Sequence, residues 1–150
     1  MSDSQTDRPT VGVIGLGSMG MGVAKTLAKK GFTVWGSDVR ASALEELRAA
    51  GGHAAMTPAE LGEHADVVIV LVVNAAQTET VLFGETGAAG TLAEGAVVMA
   101  SATVPADTAI GFGKRLEEHG IHMIDGPVSG GALGANAGQL SIMASGPDIA

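Results

Sequence analysis

The stretch VGVIGLGSMGMGVAK, Val11 to Lys25, decides how this chain is read. Val11 to Ile14 is a short β-branched run of the kind that forms a buried strand. Met19 to Lys30 carries a helical period, with Val23, Ala24, Leu27 and Ala28 on one face and Lys25, Lys29 and Lys30 on the other. Gly31, after two lysines, reads as the helix stop. Glycine inside a helix costs roughly 0.5–1 kcal/mol relative to alanine. Glycines at 15, 17, 20 and 22, crowded into a strand-to-helix junction, therefore imply a backbone that must turn tightly and stay bare.

Outward from this junction the same alternation repeats. Thr33 to Gly36 reads as a second strand and Ala41 to Ala50 as a helix with Leu44 and Leu47 inward. Thr57 to His64 reads as a short helix, with Thr57 as N-cap and Pro58 at its first position. ADVVIVLVV, Ala65 to Val73, is a continuously apolar strand, which implies that both of its faces are covered. Thr78 to Phe83 is predicted helical, Ala96 to Met99 a strand, Pro105 to His119 a helix and Ile121 to Asp125 a strand. The glycine-rich connection GPVSGGALGANAG then precedes a last strand, Leu140 to Ala144. This β-α-β-α order predicts an α/β fold of the Rossmann type, a doubly wound, mostly parallel sheet with helices on both faces. Residues 1–9 read as a flexible tail and 10–150 as one domain. SGPDIA at the end resembles the start of a helix, so the chain reads as cut there.

Composition bounds the function. Hydrophobic residues make up 46 % of the 150 and charged residues 16 %, a well-buried globular balance. A net charge of −8 argues against nucleic-acid binding and against docking on anionic lipid. Cysteine is absent, which excludes disulfides and thiolate metal sites and fits a cytoplasmic protein. No apolar run approaches the roughly 20 residues needed to cross a bilayer. The four histidines lack a metal-binding spacing, so no metal site is expected.

Gly15, Gly17 and Gly20 form G-x-G-x-x-G between a predicted strand and a predicted helix, the context that gives this pattern meaning. The first glycine permits the turn, the second admits a pyrophosphate, and the third lets helix and strand pack closely. Asp38, 23 residues after Gly15, lies where an acid receives the ribose hydroxyls of NAD. Its carboxylate disfavours a 2′-phosphate, so NAD is expected over NADP, although Arg40 could pair with such a phosphate if turned inward.

GLGSMGMGVAKTLAKKG, together with DGPVSGGALGANAGQL, resembles the β-hydroxyacid dehydrogenase family over about Val11 to Gly146. TVWGSDVR and LVVNAAQTETVLFG are most similar to its L-threonate branch. The resemblance implies an NAD-binding half of an oxidoreductase acting on a small hydroxy-carboxylate, L-threonate or a 3-hydroxyisobutyrate-like acid. It implies cofactor contacts from Gly15, Leu16, Gly17, Ser18, Met19 and Gly20, from Asp38, from Val72, Val73, Asn74 and Gln77, and from Thr103. Ser129, Gly130 and Gly131 match the substrate-gripping Ser-Gly-Gly. Ala100 and Ala102 stand where many members carry Asp and Ser, and Val72–Val73 where many carry Leu-Pro.

Family members use a lysine beyond this region for proton transfer, and a second, all-helical domain that makes the dimer. Neither is found in the chain, whose lysines, Lys25, Lys29, Lys30 and Lys114, read as solvent-facing. No catalytic residue is therefore assigned here. The expected lysine lies beyond Ala150, the chain alone is expected to be inactive, and homo-oligomers are expected only with the helical domain. Two other readings stay open: a noncatalytic NAD-binding or sensing module, and an imine reductase-type enzyme using NADPH. Trp35 is expected near the ribose site as a fluorescent reporter.

Overall fold

The computed structural model describes residues 8–102, 104–126, 128–129 and 141–142. Six strands form one parallel sheet: β1 (Val11–Ile14), β2 (Val34–Ser37), β3 (His53–Ala55), β4 (Val67–Val70), β5 (Val97–Ala100) and β6 (His122–Asp125). Their spatial order is β3-β2-β1-β4-β5-β6. The order reverses between β1 and β4, which opens a crevice beyond the carboxyl ends of those strands. The helices are α1 (Ser18–Lys29), α2 (Ala41–Ala49), α3 (Pro58–Gly62), α4 (Ala75–Phe83) and α5 (Ala106–Glu117), with a 3₁₀ turn at Ala88–Gly90.

The helices divide between the two faces. Leu16, Met21 and Ala24 of the first junction and Leu44 and Leu47 of α2 pack on Val11, Val13 and Val34. Leu61, Leu82, Phe112 and Leu116, from α3, α4 and α5, cover Ile14, Val68, Val70 and Val98. Burying each such leucine is worth about 2 kcal/mol. The expectation that both faces of ADVVIVLVV are covered holds on one side only. Val68 and Val70 are fully buried, but Val67 and Ile69 are half-buried, because α1 and α2 reach β1 and β2 and leave β4 and β5 less covered.

Other boundaries differ for local reasons. β3 was not anticipated: HAA is only three residues long and lacks a β-branched run, and it forms by pairing with β2. α4 begins at Ala75, three residues earlier than predicted, because Asn74 caps it. Trp35, expected near Asp38 as a reporter, does not line the cleft that holds Asp38: it stacks on His53 at 5.0 Å and on His64 at 3.9 Å. The last strand does not extend the main sheet. β7 (Val128–Ser129) and β8 (Ser141–Ile142) pair antiparallel as a separate two-stranded sheet. Of the tail predicted over 1–9, residues 1–7 lie outside the described residues, and Arg8 donates to the Lys30 carbonyl and lies over Phe32. Among the described residues no helix is long and apolar enough to cross a membrane.

Candidate functional site

The glycine loop is built by exclusion. Gly15 has φ +96°, and a side chain on it would meet the Leu71 carbonyl oxygen at 2.5 Å. A Cβ on Gly20 would lie 1.8 Å from the Gly15 carbonyl oxygen, so α1 and β1 approach as closely as two backbones can. Gly17 is the opposite case: a Cβ there would meet nothing within 4 Å, and the residue is exposed. Two glycines close the loop against the sheet and the middle one faces open space.

Gly17 is also the N-cap of α1, with no side-chain cap and no acid in the first turn. The first turn of a helix leaves N–H groups without helical partners and carries the positive end of the dipole. The first intrahelical bond runs from Met21 N–H to the Gly17 carbonyl at 2.8 Å. The bare turn that precedes it suits an anion.

Asp38 follows β2 and its side chain is 9 % exposed. Oδ2 accepts the Leu16 N–H at 2.7 Å, and Oδ1 accepts the Arg40 N–H at 2.9 Å and Nε–H at 3.1 Å. Arg40 Nη2 donates in turn to the Leu16 carbonyl at 2.8 Å. Burial pushes the Asp38 carboxyl upward, but the Arg40 side-chain and backbone hydrogen bonds, the Leu16 N–H and the Arg40 charge together outweigh it, and the pKa falls below the ordinary value. Asp38 is therefore an anion at neutral pH.

A cleft of about 660 Å³ joins these parts at the carboxyl ends of β1, β2 and β4. Of the residues predicted from sequence, Gly15, Gly17, Asp38, Val72, Val73 and Gln77 line it. Leu16 does not: its side chain is 2 % exposed in the core and its N–H is bound by Asp38. Ser18 faces a smaller hollow of about 400 Å³ on the other side of the loop. Gly20 is buried in the loop and Met19 half-buried; neither lines the cleft, and nor does Asn74. Asn74 Oδ1 accepts the Gln77 N–H at 2.9 Å, and Gln77 Oε1 accepts the Val73 N–H at 2.9 Å, a reciprocal cap on α4. Thr103, Gly130 and Gly131 lie outside the described residues, as does the Ser129 side chain.

The cleft also takes in Val39, Met56, Thr80 and Thr86, which sequence reasoning missed. Val39 and Met56 are exposed apolar residues, 102 % and 71 %, a signal visible only once the loops are placed. No lysine lines the cleft: Lys25 pairs with Glu46 at 2.5 Å, and Lys29, Lys30 and Lys114 are exposed.

Comparison with known proteins agrees with this geometry. Residues 10–150 match the family described as the NAD binding domain of 6-phosphogluconate dehydrogenase. An L-threonate dehydrogenase of Cupriavidus necator is 53 % identical over 137 residues, 91 % of this chain and 46 % of that protein. The crystal structure of a 3-hydroxyisobutyrate dehydrogenase from Salmonella typhimurium superposes with a TM-score of 0.88 at 40 % identity, over 94 % of this chain and 49 % of that one. A Streptomyces aurantiacus imine reductase shares the fold at 28 % identity and a TM-score of 0.82, over 93 % of this chain and 48 % of that one. The chain thus spans about half the length of the relatives it matches. With its six-stranded parallel sheet, its bare glycine loop and its acid at the end of β2, the chain belongs to the family of the NAD binding domain of 6-phosphogluconate dehydrogenase.

Proposed function

We propose that the chain is the NAD-binding half of a dehydrogenase that oxidises a small hydroxy-carboxylate, with L-threonate the first candidate. The observation that carries this reading is one cleft holding both a bare helix N-terminus at Gly17 and the ionised Asp38. The 53 % identity to an L-threonate dehydrogenase supports the substrate.

The residues present fit the cofactor. Gly17 leaves room where a pyrophosphate would approach, and Gly15 and Gly20 have none to spare. The unpaired N–H groups of the first turn of α1 would hold the phosphates. Asp38 takes four hydrogen bonds, two on each oxygen, and a ribose hydroxyl would take the place of the longest, from Arg40 Nη2 at 3.5 Å. Val72 and Val73 would pack along the nucleotide, and Thr103 would reach its far ribose. When bound, NAD supplies the hydride acceptor. By the family resemblance, Ser129, Gly130 and Gly131 would grip the substrate carboxylate.

An alcohol proton must also be taken up during oxidation. No lysine lines the cleft, so that base would come from outside these residues and the isolated chain would turn over little substrate. The test is isothermal titration of the chain with NADH and NADPH, followed by L-threonate on the NADH-loaded chain. NADH binding at least about tenfold tighter than NADPH, and L-threonate binding weakened by Ser129→Ala, are expected. Failure of NADH to bind would overturn the reading. Calorimetry suits this better than indole fluorescence, since Trp35 lies against His53 and His64 and does not line the cleft.

A further inference from the structure

Arg40 occupies a position that local rules disfavour. It is the N-cap of α2, where Ser, Thr, Asp or Asn would bind the free N–H groups, and its side chain makes no cap. A cation there also opposes the helix dipole. Such local violations are expected where a residue serves a site.

The contacts of Arg40 show what it serves. Nε–H donates to Asp38 Oδ1, Nη2 donates to the Leu16 carbonyl, and Asp38 Oδ2 accepts the N–H of the same Leu16. The three residues close a ring between the glycine loop and the end of β2. Arg40 also lines both hollows flanking that loop, with Gly17 beside it in each. We propose that Arg40 is a positioning residue that locks the Asp38 carboxylate to the glycine loop and sets the preference for NAD, and that it is not a receptor for a 2′-phosphate.

The proposal rests on the NAD reading above. Asp38 and the Leu16 carbonyl hold Nε and Nη2, so a 2′-phosphate on Arg40 would either be left with Nη1 or have to break the lock. Either way the phosphate would lie beside the Asp38 carboxylate, which the Leu16 and Arg40 backbone N–H groups hold in place, and like-charge repulsion disfavours that. In the lock, Arg40 keeps Asp38 ionised and aimed, and a ribose hydroxyl finds an acceptor already in place.

The test uses Arg40→Ala and Arg40→Lys, each titrated calorimetrically with NADH and NADPH. In parallel, the Asp38 carboxyl is titrated by carbonyl ¹³C NMR in the unliganded chain. The lock predicts that Arg40→Ala weakens NADH by about tenfold, leaves NADPH within about twofold and raises the Asp38 midpoint toward the ordinary value of about 3.9. Arg40→Lys, which keeps the charge without the planar fork, should fall between. Selective loss of NADPH binding would make Arg40 a phosphate receptor and overturn the proposal. Unchanged NADH binding with an unmoved Asp38 midpoint would also overturn it. If the unaltered chain binds neither nucleotide, the NAD reading fails. The Asp38 midpoint then decides the lock alone: raised supports it, unmoved refutes it.

Discussion

Of the helix N-termini that border the cleft, those of α4 and α1 are treated in opposite ways. At α4, Asn74 Oδ1 accepts the Gln77 N–H, Gln77 Oε1 accepts the Val73 N–H, and Thr78 Oγ1 donates back to the Asn74 carbonyl at 2.9 Å. α1 starts at Gly17 with no side chain to accept from its first turn. A side-chain cap occupies a first-turn donor, whereas a bare terminus keeps its donors for a ligand. The cleft therefore has an anion-ready terminus at α1, with the Asp38 carboxylate close beside it.

Substitutions can break or sharpen this contrast. The largest effect is expected from Gly20→Ala, whose Cβ would overlap the Gly15 carbonyl oxygen. A loss of about 3–5 kcal/mol, or failure to fold, is expected in thermal or urea denaturation. Gly17→Ala should behave differently, since its Cβ meets nothing. Its stability should change by less than about 1 kcal/mol, while NADH affinity in calorimetry falls tenfold or more, about 1.4 kcal/mol. At the capped helix, Asn74→Ala should cost about 1 kcal/mol of stability, and melting curves should register it more strongly than NADH binding does.

The smallest effect concerns acid. The folded Asp38 has a lowered pKa, so its contribution to stability is complete above the ordinary carboxylate value of about 3.9 and is lost as pH falls through the lower folded value. Asp38→Asn should therefore flatten the decline of the unfolding midpoint below about pH 4, as measured by denaturation at a series of pH values.

The glycine loop was legible because strand, motif, helix and acid agree over one short segment, and each has a period or a spacing that sequence displays. The α4 cap was equally visible, since Asn74 and Gln77 have the N-cap and N3 spacing; read as a cofactor loop, it concealed a helix start. Other features depend on tertiary neighbours. β3 exists because β2 offers an edge to His53–Ala55. Trp35 lies three residues before Asp38, about 10 Å along a strand, and its partners come from β3 and from the turn after α3. The role of Arg40 required seeing the Leu16 carbonyl beside it, 24 residues away in sequence.

The most direct measurement is a ¹⁵N–¹H correlation spectrum of the chain recorded with increasing NADH. The account predicts the largest shifts at the Ser18, Met19 and Gly20 amides and near Asp38, with small changes at Ala75, Ala76 and Gln77. Shifts concentrated at the start of α4, with the first turn of α1 unmoved, would contradict it.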